Sequence, residues 1–257
     1  MSHQQALIDY ALHLADDSLI LGHRNSEWTG HGPVLEQDIA ISNIALDLVG
    51  QARNFYQYAA SLINQYPATP KVTEDSLAYL RDSWDYKNCL LVEQANGDWA
   101  RTILRQFFFS AHQFYLYEQL QYSRDHELAA ICEKAHKEVA YHLRWSSEWV
   151  IRLGDGTAES HTRMERALEA LWSFTGELFL PSPYEQALAN EGTGVDLVAL
   201  QPRWNEKVGE VFQEAGLSVP PTAWMQSGGK IGRHTEELGY VLAEMQFLQR
   251  AYPGCEW

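Results

Sequence analysis

The chain has 257 residues, 46% of them hydrophobic, and a formal net charge of −15 from 34 acidic against 19 basic side chains. That much apolar material supports a large core and excludes general disorder, while the acidic balance opposes sequence-independent binding to nucleic acid or to an anionic membrane surface. The opening MSHQQALIDYALHLADDSLILG has no basic n-region and too short an apolar run to span a bilayer, so a cytoplasmic chain whose partners are proteins or small molecules is expected. Cys89, Cys132 and Cys255 are widely spaced and lack a neighbour at metal-ligand spacing, which argues against a disulfide framework and against structural zinc.

In chain order, apolar residues recur every three to four positions through five long segments, roughly 4–22, 35–65, 98–122, 126–153 and 158–179. Turn chemistry separates them: HGP before Leu35, YPATP after Gln65, NGD at Asn96 to Asp98, SRD before His126 and GDGT at Gly154 to Thr157. No stretch alternates as a strand. Two long helices, a connection with a shorter helical piece and two more long helices is the order of an all-α, ferritin-like bundle with one crossover. Residues 181–233 carry PSP, NEGTG, VPP and SGGKIG around short helices such as one near Trp204 to Ala215, and a last helix is expected from about Thr235 to Arg250. The chain therefore reads as one domain over 1–257, with the bundle over about 1–180 and an appendage and last helix over about 181–257.

A bundle of this kind raises a metal question. A di-iron carboxylate centre takes one Glu from each of two helices and a Glu-x-x-His pair from each of the other two, about six protein ligands in all. The sequence EKAHKEVAYHLRW holds one Glu-x-x-His, Glu133 with His136, and the chain has no second copy. At about 100° per residue, Leu128, Ile131, Ala135, Val139, Trp149 and Leu153 cluster on one face, with His142 at its centre and Glu138 beside it. Glu133 and His136 point away and read as a solvent-side coincidence. The interior pair is thus Glu138 with His142, spaced i to i+4.

The second long segment has one polar stripe, Glu36, Asn43, Asp47, Gln51, Asn54 and Tyr58, which supplies carboxylates and amides but no histidine. Amides are poor iron ligands and good hydrogen-bond partners for buried acids. The first segment places Leu7, Ile8, Ala11, Leu12, Leu14, Ala15 and Leu19 on its core face, with Asp9, His13, Asp16 and Asp17 away from its centre. It is expected to supply no inward carboxylate. The third, RTILRQFFFSAHQFYLYEQLQY, is aromatic all round and offers His112 and Glu118 at no recognised ligand spacing. Asp47, Glu138 and His142, with Glu118 and His112 further off, are the candidates for a vestigial site, and they fall short of a di-iron ligand set. The bland alternative is a satisfied hydrogen-bond and ion-pair network in the same space.

Four stretches carry a family resemblance: SEWTGHGPVLEQDIAISNIALDLVGQARN from Ser26, LLVEQANGDWARTILRQFF from Leu90, KEVAYHLRW from Lys137, and GGKIGRHTEELGYVLAEMQFLQR from Gly228. They span the chain from near its start to its last helix. The sequence resembles the C-subunit family of the bacterial multicomponent phenylacetyl-CoA epoxidases, the phenylacetyl-CoA ring 1,2-monooxygenases. The resemblance implies a ferritin-like bundle that pairs with a paralogous catalytic A subunit and other subunits of the complex. It implies that di-iron sits in the A subunit, that flavin and iron-sulfur centres sit in a reductase subunit, and that this chain holds no cofactor and no catalytic residue. Its implied role is to keep the A subunit folded and assembled in aerobic phenylacetate catabolism. A di-iron oxidoreductase active in its own right, built on Asp47, Glu138 and His142 with help from Glu118, Glu36 or His112, is the competing reading, and a homodimer is left open.

The loop SGGKIGRH sets Lys230 and Arg233 just before a helix start, a layout that can hold an anion such as a coenzyme A phosphate. The loop is not a P-loop and follows no strand. The alternative is a connection whose basic side chains pair with acids of this chain or of a partner.

Overall fold

The structure, a computed structural model, describes residues 1–66, 71–221 and 224–255. The chain is all-α, with no strand among the described residues. In order, the α-helices are α1 (His3–Ser26), α2 (Leu35–Ile63), α3 (Glu74–Tyr79), α4 (Leu90–Glu93), α5 (Trp99–Leu120), α6 (His126–Gly154), α7 (Ala158–Leu171), α8 (Pro183–Asn190), α9 (Leu197–Ala215), α10 (Glu236–Met245) and α11 (Phe247–Ala251). No described helix is long and apolar enough to cross a membrane.

Side-chain caps explain most of the helix starts. Ser2 accepts from the Gln5 amide, Asp98 from Arg101, Asp125 from Leu128 and Asp196 from Val198 and Ala199, each satisfying amides that a helix leaves unpaired in its first turn. Thr157 and Ser160 cap α7 reciprocally. Two expected ends shift. The fifth segment leaves α geometry after Leu171 and continues as 3-10 turns at Trp172–Phe174 and Gly176–Phe179, and the last helix divides at Gln246 into α10 and α11. The appendage helix near Trp204 starts earlier than expected, at Leu197, and ends on Gly216, whose φ of 68° is left-handed and suits glycine.

The chain divides into two compact units. Unit 1 comprises residues 1–95, 182–188 and 228–257, and unit 2 comprises residues 96–181 and 189–227. The region read as one appendage is therefore shared out, its middle going to unit 2 and its ends to unit 1. In unit 1, α1 and α2 run antiparallel, with the Gln4 amide donating to the Leu62 carbonyl where the start of one meets the end of the other. In unit 2, α5 and α6 run antiparallel, and Trp99 packs edge-on against Trp145 and Trp149 at 6.0 and 5.9 Å between centroids. Helix α9 seals that pair: Phe108 meets Trp204 and Phe212, and the Trp204 indole donates to the Phe108 carbonyl at 3.0 Å.

Candidate functional site

The most polar interior lies in unit 1, around α1. The sequence pattern places His13, Asp16 and Asp17 away from the core; in the structure they are 2%, 0% and 5% exposed. The expectation that this helix supplies no inward carboxylate is corrected. Nearly every residue from Ala6 to Asn25 is buried, so α1 is covered all round, and a single-face reading of its apolar residues cannot tell inside from outside.

Buried charge requires partners, and each acid here has them. Asp16 accepts from both terminal nitrogens of Arg81, from the Tyr56 hydroxyl and, at 2.8 Å, from the Lys87 amide. The Arg81 guanidinium also lies 4.2 Å over the Tyr86 ring, so its charge is held between a carboxylate and an aromatic face. Burial would lower the Arg81 pKa, but Asp16 and the two tyrosines outweigh it and raise it. Burial, reinforced by Asp16, pushes the Tyr56 hydroxyl well above its ordinary value and keeps it a donor.

Asp17 accepts from the Cys89 amide at 2.7 Å, and the Nε2 atom of His13 lies 3.6 Å from Asp17 and 3.4 Å from Glu185. Glu185, in α8, also takes both carboxylate contacts of Lys230, at 3.1 and 3.2 Å, and accepts from the Ser182 amide at 2.8 Å. Burial alone would raise the Glu185 pKa; Lys230 and His13 reverse that and hold it well below the usual carboxylate range. Asp17 is raised, because burial outweighs His13 and the Cys89 amide. His13 is raised as well, since Asp17 and Glu185 together overcome the lowering effect of burial.

The fourth acid is Glu93, at the end of α4, which is bound by Asn88, His234 and Thr235. Arg24 donates to its backbone carbonyl and reaches Glu237 at 2.8 Å. Four buried carboxylates, Asp16, Asp17, Glu93 and Glu185, thus meet Arg81, Lys230, His13 and His234. This arrangement stores charge in balanced pairs, ties α1 to segments distant in sequence, and leaves little carboxylate free for chemistry.

The residues expected at a vestigial metal site are placed differently. Asp47 belongs to unit 1, where it is half-buried, and Glu138, His142, Glu118 and His112 belong to unit 2. His142 is fully buried and Glu138 half-buried, as the helical geometry of α6 predicts. His112 is buried with its ring edge-on to Phe179 at 5.5 Å. Glu118 is ion-paired to Arg203 of α9, which holds its carboxyl below the ordinary value, and Arg203 in turn lies 4.3 Å over the Tyr115 ring. Glu36 is exposed. Glu133 is exposed as expected, but His136 is not a solvent-side residue: it is half-buried, its ring 4.5 Å from Phe114, and burial lowers its pKa.

Among the described residues no group of three or more His, Cys, Asp or Glu side chains is arranged to hold a metal ion. Asp16, Asp17, Glu93 and Glu185 already accept from cations or amides, and Glu118 is committed to Arg203. Of the two loop cations, Lys230 is buried against Glu185, and Arg233 is exposed.

Long helices in the ferritin-like order, with buried acids tied to internal cations, define an all-α helical-bundle protein. The chain belongs to the family described as Phenylacetic acid catabolic protein, which matches residues 1–257. It is 48% identical over 251 residues, 98% of this chain and 99% of the relative, to the C subunit of the 1,2-phenylacetyl-CoA epoxidase of Escherichia coli (strain K12).

Proposed function

We propose that the chain is the C subunit of a 1,2-phenylacetyl-CoA epoxidase and acts as a non-catalytic structural subunit that stabilises the catalytic di-iron A subunit in phenylacetate catabolism. The similarity over almost the full length of both chains supports the assignment to the complex. The observation that carries the structural role is the commitment of the buried acids: Asp16, Asp17, Glu93 and Glu185 all accept from cations or backbone amides of the same unit. Carboxylates so engaged are poor candidates for bridging two metal ions. On this reading iron resides in the partner, flavin and iron-sulfur centres in a reductase subunit, and this chain contributes shape and stability in the cytoplasm.

The exposed side of α2 supports a partner. Leu35, Ile39 and Leu46 are 71%, 51% and 69% exposed, and with Val49 they form one stripe at helical spacing. An apolar stripe of this kind on an otherwise acidic protein suits a helix of another subunit. Co-expression of the neighbouring genes tests the assignment: the chain should co-purify with the A subunit, and the A subunit alone should be less soluble. A chain that stays alone and epoxidises phenylacetyl-CoA by itself contradicts the proposal.

A further inference from the structure

We propose that His234 is an imidazolium in the folded chain, and that its second proton clasps the start of α10 to α4, so that the docking of residues 236–251 in unit 1 loosens as pH rises. The Nδ1 atom of His234 is 2.8 Å from Oε2 of Glu93, and Nε2 is 2.9 Å from the carbonyl oxygen of Tyr86. A carbonyl oxygen only accepts, so Nε2 carries a hydrogen.

The Glu93 side settles the other nitrogen. Its Oε2 also accepts from the Asn88 amide at 2.8 Å, and its Oε1 accepts from both the backbone amide and the hydroxyl of Thr235, each at 2.7 Å. Hydrogen bonds from those three donors favour a carboxylate over a carboxylic acid, so the hydrogen between Oε2 and Nδ1 sits on the ring. Nδ1 therefore donates as well. A neutral ring would set a lone pair against either the carboxylate or the carbonyl.

Charge balance points the same way. Arg81 and Lys230 face four fully buried carboxylates, and Arg24 is occupied by Glu237, Glu27 and the Glu93 backbone carbonyl. His13 obeys the same accounting, with Nδ1 at 2.8 Å from the Lys87 carbonyl and Nε2 between Asp17 and Glu185. The charged and titratable groups facing His234 are Asp16 from α1 and Tyr86 and Glu93 from the segment that ends in α4, while Arg24 binds the Glu93 backbone carbonyl and Glu237. Burial lowers the His234 pKa, and Glu93, with the Tyr86 carbonyl and Asp16, more than reverses this.

The position of the clasp makes it conditional. Thr235 is the N-cap of α10 but gives its hydroxyl to Glu93 instead of capping its own helix. The start of α10 is thus held by Glu93, and Glu93 by the proton on His234. Because the folded pKa is raised, the stabilisation is complete below the ordinary histidine value of about 6.5 and is lost as pH climbs through the higher folded value.

Nitrogen-15 spectra of the imidazoles in the full chain, at about pH 7.5 where ordinary histidines are mostly neutral, test the idea. A ring with both nitrogens protonated that disappears in H234Q is the expected result, and a neutral His234 overturns it. If H234Q does not fold, hydrogen exchange of the wild-type chain decides, corrected for the intrinsic pH effect. Amides of residues 236–251 should lose protection relative to α2 as pH rises above about 6.5, and unchanged relative protection overturns the clasp.

Discussion

Replacing Lys230 by Met removes one end of an enclosed ion pair in unit 1. Its Nζ atom lies 3.1 and 3.2 Å from the two oxygens of Glu185, and the two side chains are 5% and 4% exposed. At an effective dielectric of about 20, charges 3.1 Å apart attract by about 5 kcal/mol before desolvation. Removing one partner of a buried pair costs about 3–5 kcal/mol, because the other charge is stranded. Here Glu185 retains His13 at 3.4 Å and the Ser182 amide at 2.8 Å, so we expect Lys230→Met to cost about 3 kcal/mol, at the lower end of that range. The double variant Lys230→Met, Glu185→Gln removes both charges and should recover about 1–2 kcal/mol of it. Guanidinium titration followed by tryptophan fluorescence measures both, read as a midpoint shift at constant slope. Since Glu185 is held below its unfolded value, its contribution is present above about pH 4.3 and fades as pH falls; Lys230→Met should therefore also move the acid-unfolding limb to higher pH. A loss below about 1 kcal/mol, or strictly additive effects, would refute the reasoning.

Three other outcomes follow from particular contacts. Gly229→Ala would set a Cβ against the Asn88 carbonyl oxygen, so thermal unfolding should occur at lower temperature, by an amount equivalent to about 1–3 kcal/mol. Ile39→Glu with Leu46→Glu, on the exposed stripe of α2, should leave the stability of the isolated chain within about 0.5 kcal/mol per substitution yet abolish co-purification with the A subunit, measured by pull-down. Cys255 is exposed while Cys89 and Cys132 are buried, and burial pushes the Cys132 thiol far up, so a thiol reagent should label one cysteine of the native chain quickly and all three only after unfolding.

The long helices were legible because their apolar periodicity and their turns agree: Asp98, Asp125 and Thr157 each stand where a helix begins. The inward placement of His142 was legible for the same reason, since α6 has one core face. The polar core around α1 was not. A helix covered on all sides has no solvent face to mark its polar residues as inward, and Asp16, Asp17 and His13 looked peripheral for that reason. Their partners are also remote: Arg81 is 65 residues from Asp16, and Glu93 is 141 residues from His234. The adjacent acids Asp16 and Asp17 in mid-helix, amid apolar neighbours, were the available signal. His136 was misjudged because an aromatic neighbour from α5, Phe114, covers a position that helical geometry assigns to the outside.

The proposed role is to support an iron-bearing partner while holding no iron. Iron analysis with an optical spectrum, on the chain purified from iron-replete cells and again on its complex with the A subunit, tests it most directly. Only background iron in the isolated chain, and stoichiometric iron in the complex that is traceable to the A subunit, is the expected result. Stoichiometric iron with an oxo-bridged absorption band in the isolated chain would contradict it.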